Sequence, residues 1–133
     1  DEVKALADYT KACGADEATA CSNLGYMTQL GLGKMADLKL AVQLYLKACD
    51  LKDAMGCNNL GVLLATGEGV TQDDAKAVPL LQTGCADKIG ESCRYLADFH
   101  KEGRGGLPRS KQMSTFYRKQ ACEFGEKKAC TGA

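Results

Sequence analysis

The chemistry-bearing residues of the 133-residue chain are eight cysteines, Cys13, Cys21, Cys49, Cys57, Cys85, Cys93, Cys122 and Cys130, and one histidine, His100. Consecutive cysteines pair off at a separation of eight, and the pairs return after 36, 36 and 37 positions. Thiols can hold a metal, act as nucleophiles or close disulfides, and spacing discriminates among these. Tetrahedral zinc sites use short spacings such as C-x-x-C and need four ligands. Each unit here offers two thiols eight apart, and His100 belongs to one unit alone, so no metal is expected. His100 is the one imidazole that could serve as a general base. An active-site serine would need S-x-x-K supported by S-D-N and K-T-G, and none of these occurs. The glycine runs GEGV and GRGGLP lack the lysine of a phosphate loop. No catalytic residue and no cofactor is expected.

The cysteine spacing is one strand of a wider self-similarity. Leu24, Leu60 and Leu96 stand three residues after the second cysteine, followed by the small residues Gly25, Gly61 and Ala97. Ala5, Ala41 and Ala77 stand eight before the first cysteine, with Ser114 in the fourth unit, and Gly31, Gly67 and Gly103 each open a G-x-G loop. Periods of this length belong to stacked helical hairpins. The units are residues 1–36, 37–72, 73–109 and an incomplete 110–133, forming a single domain over 1–133. In the second unit, Leu38 to Cys49 lacks Pro and Gly and carries apolar residues at helical spacing, with Asp37 as N-cap. A second helix starts near Ala54, and Gly67 to Asp73 is a loop. The fold class is all-α: an α/α superhelix of helical hairpins. Small residues at Ala41 and Gly61 suggest two helices pressed together there. Tyr9, Tyr45 and Leu81 read as core or inter-repeat packing. Pro79 should kink the first helix of the third unit or delay its start. Gly106 looks like the extra residue behind the spacing of 37, although an insertion beside Tyr117 would instead align that tyrosine with Tyr45.

A helical hairpin brings the end of its first helix against the start of its second. A C-x7-C pair then places one cysteine on each side of the turn. Of the 105 pairings open to eight cysteines, the repeat singles out Cys13–Cys21, Cys49–Cys57, Cys85–Cys93 and Cys122–Cys130. Closing so short a loop contributes roughly 2.5 kcal/mol in the chain-entropy picture. Repeats stabilise one another through neighbours only, so a staple in every hairpin lets a short array stand. Disulfides also imply an oxidising compartment.

The stretches YLKACDLKDAMGCNNLGVLLATGEGVTQD and YTKACGADEATACSNLGYMTQLGLG resemble the Sel1-like repeat, in the cysteine-bearing form of the Helicobacter cysteine-rich proteins. The third unit departs most, with TGC in place of KAC. The resemblance implies an α/α superhelix with one disulfide per repeat, exported from the cytoplasm and working through protein contacts. Relatives of this type include host-interacting secreted proteins, periplasmic adaptors and toxin-immunity proteins. It also raises an alternative, binding or weak hydrolysis of β-lactams, which the residues themselves do not support.

Charge narrows the partners. Seventeen basic residues balance seventeen acidic ones, which disfavours nucleic acid. The long uncharged stretches, Ala18 to Gly33 and Ala54 to Gly67, are too short to span a bilayer. The chain opens on Asp1 rather than Met, so a processed or trimmed chain is expected. The expected product is a secreted or periplasmic monomer that binds a protein or peptide. Positions constant between repeats report the fold, and varied ones are free for recognition. On the first helices these are Lys4, Asp8 and Lys11, then Leu40, Leu44 and Lys47, then Lys76, Leu80 and Thr83. The leucines among them suit either a partly apolar groove or packing on the neighbouring repeat.

Overall fold

The computed structural model describes residues 1–131, and the described residues form helices joined by turns and loops. Four first helices, α1 (Glu2–Gly14), α3 (Leu38–Asp50), α5 (Asp74–Ala86) and α7 (Lys111–Glu123), alternate with α2 (Ala18–Leu30), α4 (Ala54–Thr66), α6 (Gly90–Glu102) and a short α8 (Lys127–Cys130). The first helices begin where their caps dictate. The side chains of Asp1, Asp37, Asp73 and Ser110 accept from backbone N–H groups of the first turn, satisfying donors that the helix leaves open. Helices α2, α4 and α6 end on Gly31, Gly67 and Gly103 in the left-handed conformation, which glycine adopts without steric cost.

The caps settle the register of the fourth unit. Ser110 precedes Cys122 by the same twelve residues that separate Asp1, Asp37 and Asp73 from their cysteines. The extra residue therefore lies in the loop before Ser110, where Gly106 has φ +83° and open space beside it. Tyr117 takes the place of Leu44 and Leu80, not that of Tyr45, which Arg118 occupies. Pro79 does not delay its helix. α5 starts at Asp74, in step with α3, and runs on through the proline; the ring removes only the N–H that would bond Ala75.

Two kinds of close approach build the array. Within a hairpin, small residues precede both cysteines: Ala12 and Ala20, Ala48 and Gly56, Gly84 and Ser92, Ala121 and Ala129. They let the helices meet at Cα separations of 4.6, 4.6, 4.8 and 4.8 Å across the four bridges, within the range a disulfide spans. Between hairpins, Gly25 receives Tyr45 and Gly61 receives Leu81. A Cβ on Gly25 would lie 2.7 Å from Tyr45 Cε1, and one on Gly61 would lie 3.1 Å from Leu81 Cδ2. Gly61 thus serves the next repeat rather than Ala41 of its own. Tyr45 and Leu81 are fully buried, and the Tyr45 hydroxyl donates to Gln29 Oε1 at 2.6 Å.

Each second helix consequently packs more extensively on the following first helix than on its hairpin partner, and successive second helices also touch, α2 on α4 and α4 on α6. Asn58, fully buried, joins the latter pair: it accepts from Ser92 Oγ at 2.6 Å and donates to Glu91 Oε1 at 2.9 Å. Arg104, between the glycines of the third loop, holds both Asp74 oxygens at 2.9 Å and the Ala65 carbonyl at 3.1 Å. Its guanidinium lies 4.3 Å over the Phe99 ring.

Candidate partner-binding surfaces

The cysteines are architectural. All eight are paired within hairpins, leaving no free thiol. His100 is 5% exposed, donates from Nδ1 to the Pro108 carbonyl at 2.9 Å and stacks on Tyr117 at 5.7 Å between centroids. Its position holds the loop before α7 in place. Among the described residues, no group of three His, Cys, Asp or Glu side chains is placed to hold a metal ion.

The first-helix positions divide by role. Leu44 packs half-buried on the cluster of Cys13, Cys21 and Leu24, and Leu80 packs half-buried on the central core beside Gly61. Their apolar surface is largely spent between repeats. Lys47 also bridges repeats, donating to the Cys13 carbonyl at 2.8 Å and pairing with Asp16 at 3.1 Å. Leu40 is half-buried, whereas Lys4, Asp8, Lys11, Lys76 and Thr83 are exposed. Lys4 and Asp8 pair with each other at 3.1 Å, an exposed i,i+4 contact of small energetic weight. This face presents charge more than an apolar groove.

The second helices carry a stripe that the sequence reading did not single out. Thr19, Asn23, Tyr26 and Leu30 follow i, i+4, i+7, i+11 spacing on α2, so they share one face. Repeat equivalence extends the face to Met55, Asn59, Val62 and Thr66 on α4, and to Glu91, Tyr95, Asp98 and Glu102 on α6. All twelve are exposed or half-buried. Tyr26 and Leu30 are 54% and 50% exposed, and Met55 is 46% exposed. The stripe mixes apolar and neutral polar residues on α2 and α4 and is acidic on α6. The Tyr45 phenol is raised in pKa chiefly by burial, with Tyr26 and Glu91 both contributing. Burial likewise raises Tyr95, opposed by the adjacent Arg94. Arg94 lies 4.9 Å over the Tyr95 ring and pairs with Glu126 at 3.3 Å. The period-36 variation of these positions was visible in the sequence. Their exposure was not, because it depends on which helices pack together.

This architecture, helical hairpins stacked side by side with a disulfide across every turn, defines a stapled α/α solenoid of the repeat-scaffold class. The chain belongs to the Sel1 repeat family, which matches it over residues 18–53, 54–86 and 90–123. Each matched stretch spans one second helix and the following first helix, the pairing that packs most extensively. Among solved structures, the cysteine-rich protein B of Helicobacter pylori is 26% identical, with TM-score 0.71 over 96% of this chain and 91% of that one. A Sel1 repeat protein from Oxalobacter formigenes is 24% identical, with TM-score 0.79 over 86% of this chain and 45% of that one. The Escherichia coli protein c5321, described as a protective antigen of uropathogenic strains, is 22% identical, with TM-score 0.86 over 97% and 27%. The chain thus spans less than half the length of the latter two. No curated protein sequence matches significantly. Four disulfides point to an oxidising compartment outside the cytoplasm, and among the described residues no helix is long and apolar enough to cross a membrane.

Proposed function

We propose that the chain is a non-catalytic scaffold that holds a protein or peptide partner in the periplasm or after secretion, as an adaptor, host-interacting protein or toxin-immunity protein does. One observation carries the reading: the stripe across α2, α4 and α6 is exposed or half-buried and changes from neutral to acidic along the array, whereas the neighbouring Leu24, Leu60 and Leu96 are buried and constant. Aromatic anchors beside desolvated polar groups are the usual hot spots of such surfaces, and Tyr26 and Tyr95 stand at two ends of this one. Disulfides and the Gly25 and Gly61 steps keep the surface rigid, which lowers the ordering cost of binding.

The test needs a partner, obtained by crosslinking from the extracytoplasmic fraction of the source organism. Tyr26→Ala with Tyr95→Ala should weaken binding at least ten-fold, about 1.4 kcal/mol, with helicity and disulfides unchanged. Loss of binding through Lys4, Lys11 or Lys76 instead would move the interface to the first helices. Saturable turnover of a chromogenic β-lactam would overturn the non-catalytic reading.

A further inference from the structure

The hairpin turns form three equivalent clefts between successive repeats, and their differences are informative. In the first, the α1–α2 turn faces the end of α3, and the cleft is filled from within. Lys47 reaches across to the Cys13 carbonyl and Asp16 at 2.8 and 3.1 Å, and Leu51 packs on the Cys13–Cys21 cluster. In the third, Gln120 and Phe124 take those two places. Phe124 packs on the core, leaving about 280 Å³.

The second cleft has neither plug. The places of Lys47 and Leu51 are held by Thr83 and Asp87. Thr83 turns its hydroxyl onto its own helix, donating to the Pro79 carbonyl at 3.1 Å. A cleft of about 590 Å³ remains, with the Cys49–Cys57 bridge, Ala54 and Ala86 among its walls. The Cys49 carbonyl accepts the Lys52 N–H at 2.9 Å, as the Cys13 carbonyl accepts the Asp16 N–H at 2.9 Å. Among the described residues no side chain supplies the further donor that Lys47 supplies to Cys13. Asp50 and Asp87 line the same cleft; Lys52 is the one cation there.

We infer that this second cleft receives a lysine side chain from a protein partner, seated on the Cys49 carbonyl as Lys47 sits on that of Cys13, with Asp50 and Asp87 supplying the negative charge because Lys52 holds the place of Asp16. Its ammonium would take the open position on the Cys49 carbonyl between Asp50 and Asp87. Its methylene stem would lie along the bridge and the two alanines. Lysine fits better than arginine, because the acceptor is a single carbonyl rather than a bidentate pair. The inference rests on the partner being a protein, and it adds the residue chemistry that the partner must present.

The probe is Nα-acetyl-lysine methylamide, titrated into the isotope-labelled oxidised protein while backbone amide shifts are followed. Saturable shifts at millimolar concentration, about 4 kcal/mol of binding, are expected around Cys49–Asp53 and Thr83–Asp87. The Nε-acetylated analogue, which has no charge, should produce none. Thr83→Lys should plug the cleft and reduce affinity at least ten-fold, and Asp50→Asn with Asp87→Asn should weaken it as well. Equal shifts with the neutral analogue, or undiminished binding by the Thr83→Lys protein, would overturn the inference. A partner that needs the second-helix stripe but ignores Thr83→Lys would refute the cleft and leave the scaffold reading standing.

Discussion

Gly56 offers a demanding check on how the hairpins close. It is buried in α4 beside the Cys49–Cys57 bridge, and a Cβ there would lie 2.6 Å from Ala48 Cβ and 2.9 Å from Cys49 N. One of these neighbours is backbone and the other a methyl rooted on it, so neither can swing aside. Gly56→Ala should gain up to about 1 kcal/mol of helix propensity. Against this stands overpacking of about 1–3 kcal/mol, at the upper end because the contact is rigid. The net expectation is about 2 kcal/mol of destabilisation. Unfolding entropy of roughly 2.1 cal/mol/K per residue turns that into a fall of about 7 °C in Tm. Gly14→Ala is the control: it also sits in a helix but has nothing within 4 Å of its added methyl, so it should be neutral or stabilising by at most about 1 kcal/mol. Thermal unfolding followed at 222 nm, with both variants fully oxidised, measures the contrast. A Gly56→Ala protein as stable as Gly14→Ala would refute the idea that glycine sets the helix separation at the bridge.

Three further outcomes follow from named contacts. Replacing Cys49 and Cys57 together by Ala should lower stability by roughly 2.5 kcal/mol through lost loop closure, read by urea unfolding. The Arg104 hydrogen bonds hold the Asp74 carboxyl below its usual range. A depressed folded pKa contributes stability that is present above the unfolded value and lost as pH falls through the folded one. Asp74→Asn should therefore cost about 1 kcal/mol near neutrality, and the difference from wild type should shrink as pH falls below about 4; a difference independent of pH would refute the pairing. His100→Ala should destabilise by about 1–3 kcal/mol, through the lost bond to Pro108 and the orphaned carbonyl, as measured by thermal unfolding.

What the sequence revealed and what it hid divide along one physical line. Cysteine spacing, the recurring glycines and the aspartate caps are properties of one unit, so a period of 36 exposes them directly. The small residue before every cysteine is equally local and is the signal that explains the bridge geometry. Contacts between units are different. Periodicity says that Gly61 is constant, but not that it receives Leu81 of the next repeat rather than Ala41 of its own. It says that Leu44 and Leu80 vary with Tyr117, but not that the leucines turn inward. The stripe on the second helices escaped for the same reason, because exposure is decided by the stacking.

The same line separates two kinds of cohesion with different chemistry. Within a hairpin the helices are joined by a disulfide across a short small-residue contact. Between hairpins they are joined by larger interlocking surfaces, Tyr45 in the Gly25 notch and Leu81 in the Gly61 notch. Reduction removes the first kind and leaves the second. The units that survive reduction should then be α2 with α3 and α4 with α5, not the hairpins α1–α2 and α3–α4 that the cysteines mark out. Native-state hydrogen exchange reports such cooperative units directly. In the reduced protein the amides of α4 and α5 should lose protection together, and those of α3 should follow α2. Exchange that instead groups α3 with α4, or the loss of all protection at one free energy, would show that the hairpin or the whole array is the unit and that the notches are secondary.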